Sequence, residues 1–494
     1  MKRSRRSGLF VLLLLVAARF GAAARTAPAT LRIACFDLPG SFNPVYATNE
    51  TAQAAANKSY QSLFQFDPQG VLRPDLVASF AIAGAGNEIM LELRPGQRFA
   101  DGSPVESRDV AGTIAALRDP RFEYPYAADL EFLERADAVA PLRLRLLLKG
   151  RYAPWKNYLT FKVLRADELA AADPQEFRRR VPAGSGPYRL AAAHDPQGFE
   201  LERNPHWPGR LRYERLVYTV LSDPRQAPLK LLNAELDAAE VHGDDAIAYA
   251  GLKGWQRRFR LLPYRKFGYT YLAFNLRRPA IDIGLRQRVY GRLACGRFLD
   301  EFHQGRGERV GSPFLLFGDA KKPRPVKAPP PSSAGRRRLR VLTNSESALR
   351  RQFVIFLCQE LKAESVELEP EFVEYRMFLQ RLKNGDFDLA VSAFLLDIDW
   401  NMKDILSSAG YFNYAGYSDP GMDAALELGL SEMDETKRRT VYEKAHAIWL
   451  RDLPLVPLFN LNYYMGVARD IAVPRQRFEL VGSCGDFFAN IQDW

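Results

Sequence analysis

The chain has 494 residues, of which 47% are hydrophobic and 26% charged, with 34 glycines and 32 prolines. That balance excludes wholesale disorder, fibrous repeats and low complexity, and the length suits two to four compact units. The net charge of +11 is local: +5 lies in residues 1–24 and +8 in residues 321–340, leaving −2 for the rest, so the folded body does not carry the basic surface of a nucleic-acid binder.

The N-terminus reads Met1-Lys2-Arg3-Ser4-Arg5-Arg6, an apolar run from Leu9 to Ala18, then Arg19 and Ala22-Ala23-Ala24. A basic start, a short apolar stretch and small residues before Arg25 predict a signal peptide over residues 1–24, cleaved near Ala24. The apolar run is too short for the ~20 residues of a membrane helix. No cysteine follows it directly, so a lipid anchor is not expected, and the mature chain is expected to be exported. Cys35, Cys295, Cys358 and Cys484 are widely separated and lack metal-ligand spacing. Buried free thiols are the expectation, with a Cys35–Cys484 bridge as the alternative.

Leu31–Phe36 alternates like a strand. Tyr60–Phe80 reads as a helix end, a short strand, the turn Asp67-Pro68-Gln69-Gly70 and a return segment. Ile89–Arg94 is a further strand, Ser107–Leu117 a helix and Leu142–Lys149 a strand. Residues 211–275 alternate short β runs with one helix near 226–236. Lys321–Arg338 holds five prolines and no acid, which predicts an extended solvated loop. Beyond it come strand Leu339–Thr343, helix Ala348–Leu361, strand Val366–Val373, helix Glu374–Lys383 and strand Phe387–Phe394. That β-α-β-α-β order predicts an α/β lobe with a largely parallel sheet. Helix Glu435–Leu450 and strand Leu455–Phe459 close the pass.

Several motifs fall in a fixed order along this frame. They are Leu63–Asp67 with Gly70 and Pro74-Asp75-Leu76; Leu93–Pro104 with Asp109-Val110; Gly184-Ser185-Gly186-Pro187-Tyr188; Arg203–Trp207; Ala273-Phe274-Asn275; Gly385–Leu389; and Gly416–Pro420, followed by Pro454–Phe459. Taken together they resemble the extracellular solute-binding proteins of family 5, the oligopeptide- and dipeptide-type binding proteins of ATP-driven importers. The resemblance implies an α/β fold of two lobes, the periplasmic-binding-protein type II, cluster C architecture, with an additional small α/β domain in the larger lobe. On that pattern lobe one is 25–47, 182–271 and 466–494, the extra domain is 48–181, and lobe two is 272–465, carrying the loop 321–338. The crossings are expected near Tyr271–Asn275 and Asn460–Tyr463, where hinges let the lobes close on a solute. The quoted motifs themselves read as turn and packing chemistry rather than ligand contacts.

The resemblance also implies a ligand segment, Asp388–Asp397. Ala393 stands at the usual Gly and Phe394 at the usual Trp, followed by Leu395, and Asp397 stands at the position that pairs with a peptide's α-ammonium. An extended ligand adds backbone hydrogen bonds to such a strand edge while its side chains fall into pockets. The common Asp-Pro is replaced here by Asp399-Trp400-Asn401. Asp397 or Asp399 can therefore be the anchor, or both can cap the helix at Met402–Leu406. Tyr126 is expected on the ligand, Thr48, Asn49 and Glu50 at the cleft lip, and Tyr269 and Trp400 as aromatic walls.

The expected work is capture of a di- or oligopeptide in the periplasm by a monomer. The peptide is then delivered to an inner-membrane ABC permease and its ATPase subunits, without cofactor, metal or nucleic acid. A non-peptide solute (a nickel complex, sugar, haem or opine) is the alternative. Catalysis is not expected: the chain lacks a Gly-x-Ser-x-Gly elbow, a His-Glu-x-x-His helix and a Walker A loop, and its five histidines lack ligand spacing.

Overall fold

The computed structural model describes residues 30–67, 70–315, 337–362, 366–396, 399–473 and 486–494. The expected signal peptide, most of the Pro-rich loop, Asp397 and Cys484 lie outside the described residues.

Two large sheets organise the chain. The first has seven strands in the order Phe259–Tyr264, Tyr463–Ala468, Ala238–Val241, Thr30–Cys35, Arg215–Val220, Gly198–Arg203 and Tyr188–His194. Thr30–Cys35 alternates half-buried and buried positions and runs parallel to Arg215–Val220. The second has six strands in the order Gly307–Arg309, Leu455–Leu461, Gly268–Phe274, Leu389–Leu395, Arg337–Asn344 and Val366–Val373. A separate antiparallel sheet of four, Val77–Ala83, Glu88–Leu93, Arg143–Leu148 and Leu133–Ala140, packs with helix Ser107–Arg118. Its core runs from Val45 to Phe177, apart from the core of the six-stranded sheet.

The six-stranded sheet is mixed rather than largely parallel. Helices Ala348–Leu361 and Tyr375–Asn384 are crossovers, and a crossover makes the strands it joins parallel. Only the two pairings of Arg337–Asn344 are of that kind. Gly268–Phe274 and Leu455–Leu461 arrive from elsewhere in the chain and pair antiparallel. Residues 243–258, read from sequence as part of an alternating β region, instead form helices Gly243–Ala250 and Lys253–Arg258.

The chain leaves the first sheet at Tyr264 and enters the second at Gly268. The first crossing is therefore 265–267 and not Tyr271–Asn275. Asn275 sits at the far end of its strand, where its buried Nδ2 donates to Gly385 O and Phe387 O, both at 2.8 Å. It turns the chain there, so the Ala-Phe-Asn motif marks a turn instead of a hinge. The return crossing is at Asn462, between Leu455–Leu461 and Tyr463–Ala468. Arg265 is paired with Glu308 and Lys266 with Glu50, so adjacent residues of the crossing hold opposite sides.

Three expectations acquire physical reasons. Gly184 and Gly186 pack against the end of helix Glu50–Ser59, where a Cβ on Gly184 would stand 1.9 Å from Ser59 O. Arg337 and Arg338, expected in the loop, begin a strand: Arg337 pairs with Asp282 at 2.9 Å and Arg338 with Glu367 at 3.3 Å. Cys35 and Cys295 are buried free thiols, and Cys358 is a half-buried one. Burial pushes the Cys35 and Cys295 thiols up to about 12, so neither supplies a thiolate near neutrality.

Candidate functional site

The site is built at the ends of strands Gly268–Phe274 and Leu389–Leu395. Gly268 opposes Leu395, Tyr269 opposes Phe394 and Tyr271 opposes Ser392. Every residue of Gly268–Phe274 is buried, as a central strand requires. Its Gly268 end adjoins the crossing, so the Leu395 end of the neighbouring strand also faces the first sheet. Phe394 lies flat on Tyr271, with ring centroids 4.2 Å apart and planes 7° apart, and meets Tyr269 edge-on at 6.4 Å. Tyr269 is thus an aromatic wall, but one sealed behind Phe394. Burial drives its phenol far above the usual tyrosine range.

One edge of Leu389–Leu395 is open. Arg337–Asn344 pairs with it only at Val341↔Leu389 and Leu342↔Ala390, although it pairs with Val366–Val373 over its whole length. The Thr343 hydroxyl then donates to Val391 O at 2.8 Å, taking the place of the next ladder bond. Strand alternation sends the backbone groups of Ala393 and Leu395 to this same side. Leu396 N, one position on, donates to Phe267 O on the other side. Ala393 is exposed and Leu395 is 66% exposed. At ~3.3 Å per residue the free edge from Ser392 to Leu395 measures about 13 Å.

Asp399 is committed elsewhere. It accepts a bidentate pair from Arg438, Nη1 to Oδ2 at 2.8 Å and Nη2 to Oδ1 at 2.6 Å. Its Oδ2 also accepts from Asn157 Nδ2 at 3.2 Å, and its Oδ1 from Asn401 N at 2.7 Å. Asn401 in turn accepts from Lys403 N at 2.9 Å, at the start of helix Lys403–Leu406. Burial opposes the Arg438 charge, but the hydrogen bonds and charge of Asp399 outweigh it and hold the guanidinium above its usual range. Asp399 is held by its ion pair and in the turn before the helix, whose N-cap is Met402 without a side-chain cap bond. Trp400 is half-buried beside it, 5.6 Å from the Arg438 guanidinium and 6.0 Å from the Tyr442 ring.

The first-lobe candidates gather around helix Glu50–Ser59. Asn49 caps that helix, with Oδ1 accepting from Ala52 N at 2.8 Å and Nδ2 donating to Leu38 O at 2.6 Å. Its amide is occupied in structure at both ends. Thr48 beside it is exposed. Glu50 holds Lys266 of the crossing. Gln53, one turn on, donates to the Tyr126 hydroxyl at 3.5 Å, and Tyr126 packs edge-on against Tyr124. Tyr126, 39% exposed, therefore stands on the helix face that meets the crossing.

Sequence reasoning passed over Arg350. It occupies the third position of helix Ala348–Leu361, capped by Ser347, whose Oγ accepts from Arg350 N at 3.3 Å. A Ser cap usually carries Glu or Gln three residues on. The signal was the arginine in that place. Burial holds its pKa below the usual arginine value, opposed by Tyr375, Tyr271 and Glu346.

Two large sheets are joined by two crossings, and an open strand edge lies at their junction. The sequence profile of the bacterial extracellular solute-binding proteins, family 5 (middle region), matches residues 71–289. Over 473 residues the chain is 20% identical to the oligopeptide-binding protein AppA of Bacillus subtilis, covering 88% of this chain and 86% of that one. It is 23% identical over 507 residues to di/tripeptide-binding protein 2 of Pseudomonas aeruginosa, covering 92% and 93%. In fold it is similar to Campylobacter jejuni NikZ in complex with Ni(L-His), at TM-score 0.74, 20% identity and 94% and 99% coverage. The chain is thus similar to the extracellular solute-binding proteins of family 5 over residues 71–289 and, at 20–23% identity, to peptide-binding relatives over most of its length.

Proposed function

We propose that the chain binds a short peptide between its lobes and delivers it, from the periplasm, to an ABC importer whose permease and ATPase subunits are other chains. The protein acts as a monomer, needs no cofactor and leaves its ligand chemically unchanged. The open edge Ser392–Leu395 carries this reading. It offers the backbone groups of Ala393 and Leu395 to an extended ligand, and strand addition of this kind tolerates varied side chains. An edge of about 13 Å suits two to four residues. The peptide ligands named for the relatives AppA and di/tripeptide-binding protein 2 agree with it.

Asp397 is the ammonium anchor in this reading. The family resemblance assigns it that position, and Asp399, the other candidate, is already paired with Arg438. Phe394 and Leu395 flank the ligand backbone, and Tyr126, Thr48 and Trp400 border the cleft. The second reading is a non-peptide solute, favoured by the fold's similarity to a protein that holds Ni(L-His).

A thermal-shift series of the exported protein against di- to pentapeptides, sugars, nickel complexes and opines separates the two. A ligand at 100 times its Kd adds about 2.7 kcal/mol. Stabilisation by di- to tetrapeptides, lost in Asp397→Ala, supports the peptide reading. Stabilisation by non-peptides alone overturns it.

A further inference from the structure

The four-stranded sheet and its core, Val45–Phe177, are joined by the chain only to the first large sheet, through Thr30–Cys35 before and Tyr188–His194 after. Packing fixes them there as well. Helix Glu50–Ser59 gives Ala52 and Ala56 to this core and Ala55 to that of the first sheet. At its end the fully buried Lys58 pairs with Asp486 at 2.6 Å. The four-stranded unit therefore moves with the first lobe.

The same unit touches the second lobe with no chain link to it. Asn157, just past the turn Ala153–Lys156, donates from Nδ2 to Asp399 Oδ2 at 3.2 Å. Met433, between helices Pro420–Ser431 and Glu435–Asp452, packs against the unit's core. A Cβ on Gly86 would stand 3.5 Å from Met433 Cγ, and helix Pro420–Ser431 lies against Ala153–Lys156. Burial holds the Tyr152 phenol above its usual range, and the charges of Asp399 and Arg438 act on it across the seam in opposite senses. Rotation about the crossings at 265–267 and Asn462 must part this seam, because the chain connects its two sides nowhere else.

The seam's chemistry suits a contact that is made and broken. Asp399 takes its two charged hydrogen bonds from Arg438, and one from Asn401 N, all on its own side, so parting strands no charge. Across the seam it takes one bond from a neutral amide, worth roughly two- to tenfold in the ratio of joined to parted forms. Met433 adds a flexible thioether that fits an irregular surface. The charged pairs lie instead where the parts stay together: Lys58 with Asp486, and Lys266 with Glu50 at the crossing.

We infer that Asn157 and Met433 form a latch with Asp399, shut when the lobes close and parted when they open, that sets how fast a bound solute leaves. The inference rests on the reading that the solute is held between the lobes at the open edge. Asp399 stands four positions beyond Leu395, the end of that edge. Asn157 and Met433 are positioning residues: they act on the lobes and leave the solute untouched.

The test moves the carboxylate across the seam. Asn157→Asp sets a second carboxylate against Asp399. Asn157→Asp with Asp399→Asn leaves a single carboxylate, which Arg438 reaches only when the lobes are closed. Small-angle X-ray scattering of the ligand-free proteins is expected to give the double variant a smaller radius of gyration than Asn157→Asp. Tri-alanine release, followed by stopped-flow tryptophan fluorescence, is expected to be at least about tenfold faster from Asn157→Asp than from the parent. From the double variant it is expected to be no faster than from the parent. Met433→Ser alters no charge and is expected to speed release about three- to tenfold. Equal radii for the two charge variants overturn the latch. So does a double variant that fails to fold where Asn157→Asp folds, since Arg438 then finds no carboxylate across the seam. Equal release rates from all four proteins overturn its control of release. If no di- to tetrapeptide binds while the radii differ as expected, the peptide reading falls and the latch stands.

Discussion

Replacing Arg438 by Met tests whether Asp399 serves the fold or the ligand. The Asp399 and Arg438 side chains are 10% and 11% exposed and make two charge-assisted hydrogen bonds. Removing the guanidinium leaves a buried carboxylate with Asn157 Nδ2 and Asn401 N in hydrogen-bond range. Breaking such a pair from one side costs about 3–5 kcal/mol, mostly from the stranded charge. Replacing both partners by apolar residues of similar volume returns most of that loss. Arg438→Met is therefore expected to lose about 3–5 kcal/mol, and Arg438→Met with Asp399→Leu to recover most of it. Urea unfolding followed by tryptophan fluorescence reads both, since Trp400 lies against the Arg438 guanidinium. If Asp399→Asn instead changes stability by under about 0.5 kcal/mol and lowers peptide affinity more than tenfold, the carboxylate belongs to the ligand and the argument is wrong.

Three other outcomes follow from the same physics. Lys58, fully buried, pairs with Asp486 at 2.6 Å; Lys58→Met is expected to cost about 3–5 kcal/mol in denaturant unfolding, largely restored by Asp486→Leu. Gly184→Ala drives a Cβ into Ser59 O and is expected to lose stability at the upper end of about 1–3 kcal/mol, read as a lowered Tm. Asp282 caps helix Ile283–Arg292 and pairs with Arg337; burial alone raises its pKa, but the Leu285 N–H and Arg337 outweigh it and hold the carboxyl below its usual range. Its contribution is then present above the unfolded value of ~3.9 and lost as pH falls. Asp282→Ala is expected to cost about 1 kcal/mol at pH 7, with the gap between urea midpoints narrowing as pH falls below the unfolded carboxylate value.

The legible parts of the fold are those where local chemistry and tertiary structure agree. Ala348–Leu361 and Val366–Val373 appear with the bounds the sequence suggested, because periodicity, the Ser347 cap and β-branched residues point the same way. The resemblance puts the first crossing near Tyr271–Asn275, whereas the chain changes sheets at 265–267 and Ala-Phe-Asn ends the strand beyond it. Only the partners of Asn275, fixed by residues 110 or more positions away, decide which end it is. The role of Asp399 was hidden for the same reason: Arg438 and Asn157 lie 39 and 242 positions off. Arg350 was visible as a misplaced charge in a capping sequence. What the sequence could not provide was its half-buried setting, without an ion pair among the described residues.

An open strand edge is a liability, since unpaired backbone groups invite another chain. Here the edge is kept open by a specific substitution: Thr343 Oγ1 satisfies Val391 O, so Arg337–Asn344 can turn away without orphaning a buried carbonyl. From Ser392 onward no described strand takes the vacated side. The exposed segment is short, about 13 Å, and lies beside the crossings, where closure of the lobes would cover it. Shortness limits accidental pairing. An edge this short offers little to a neighbouring sheet but is long enough for a short extended ligand.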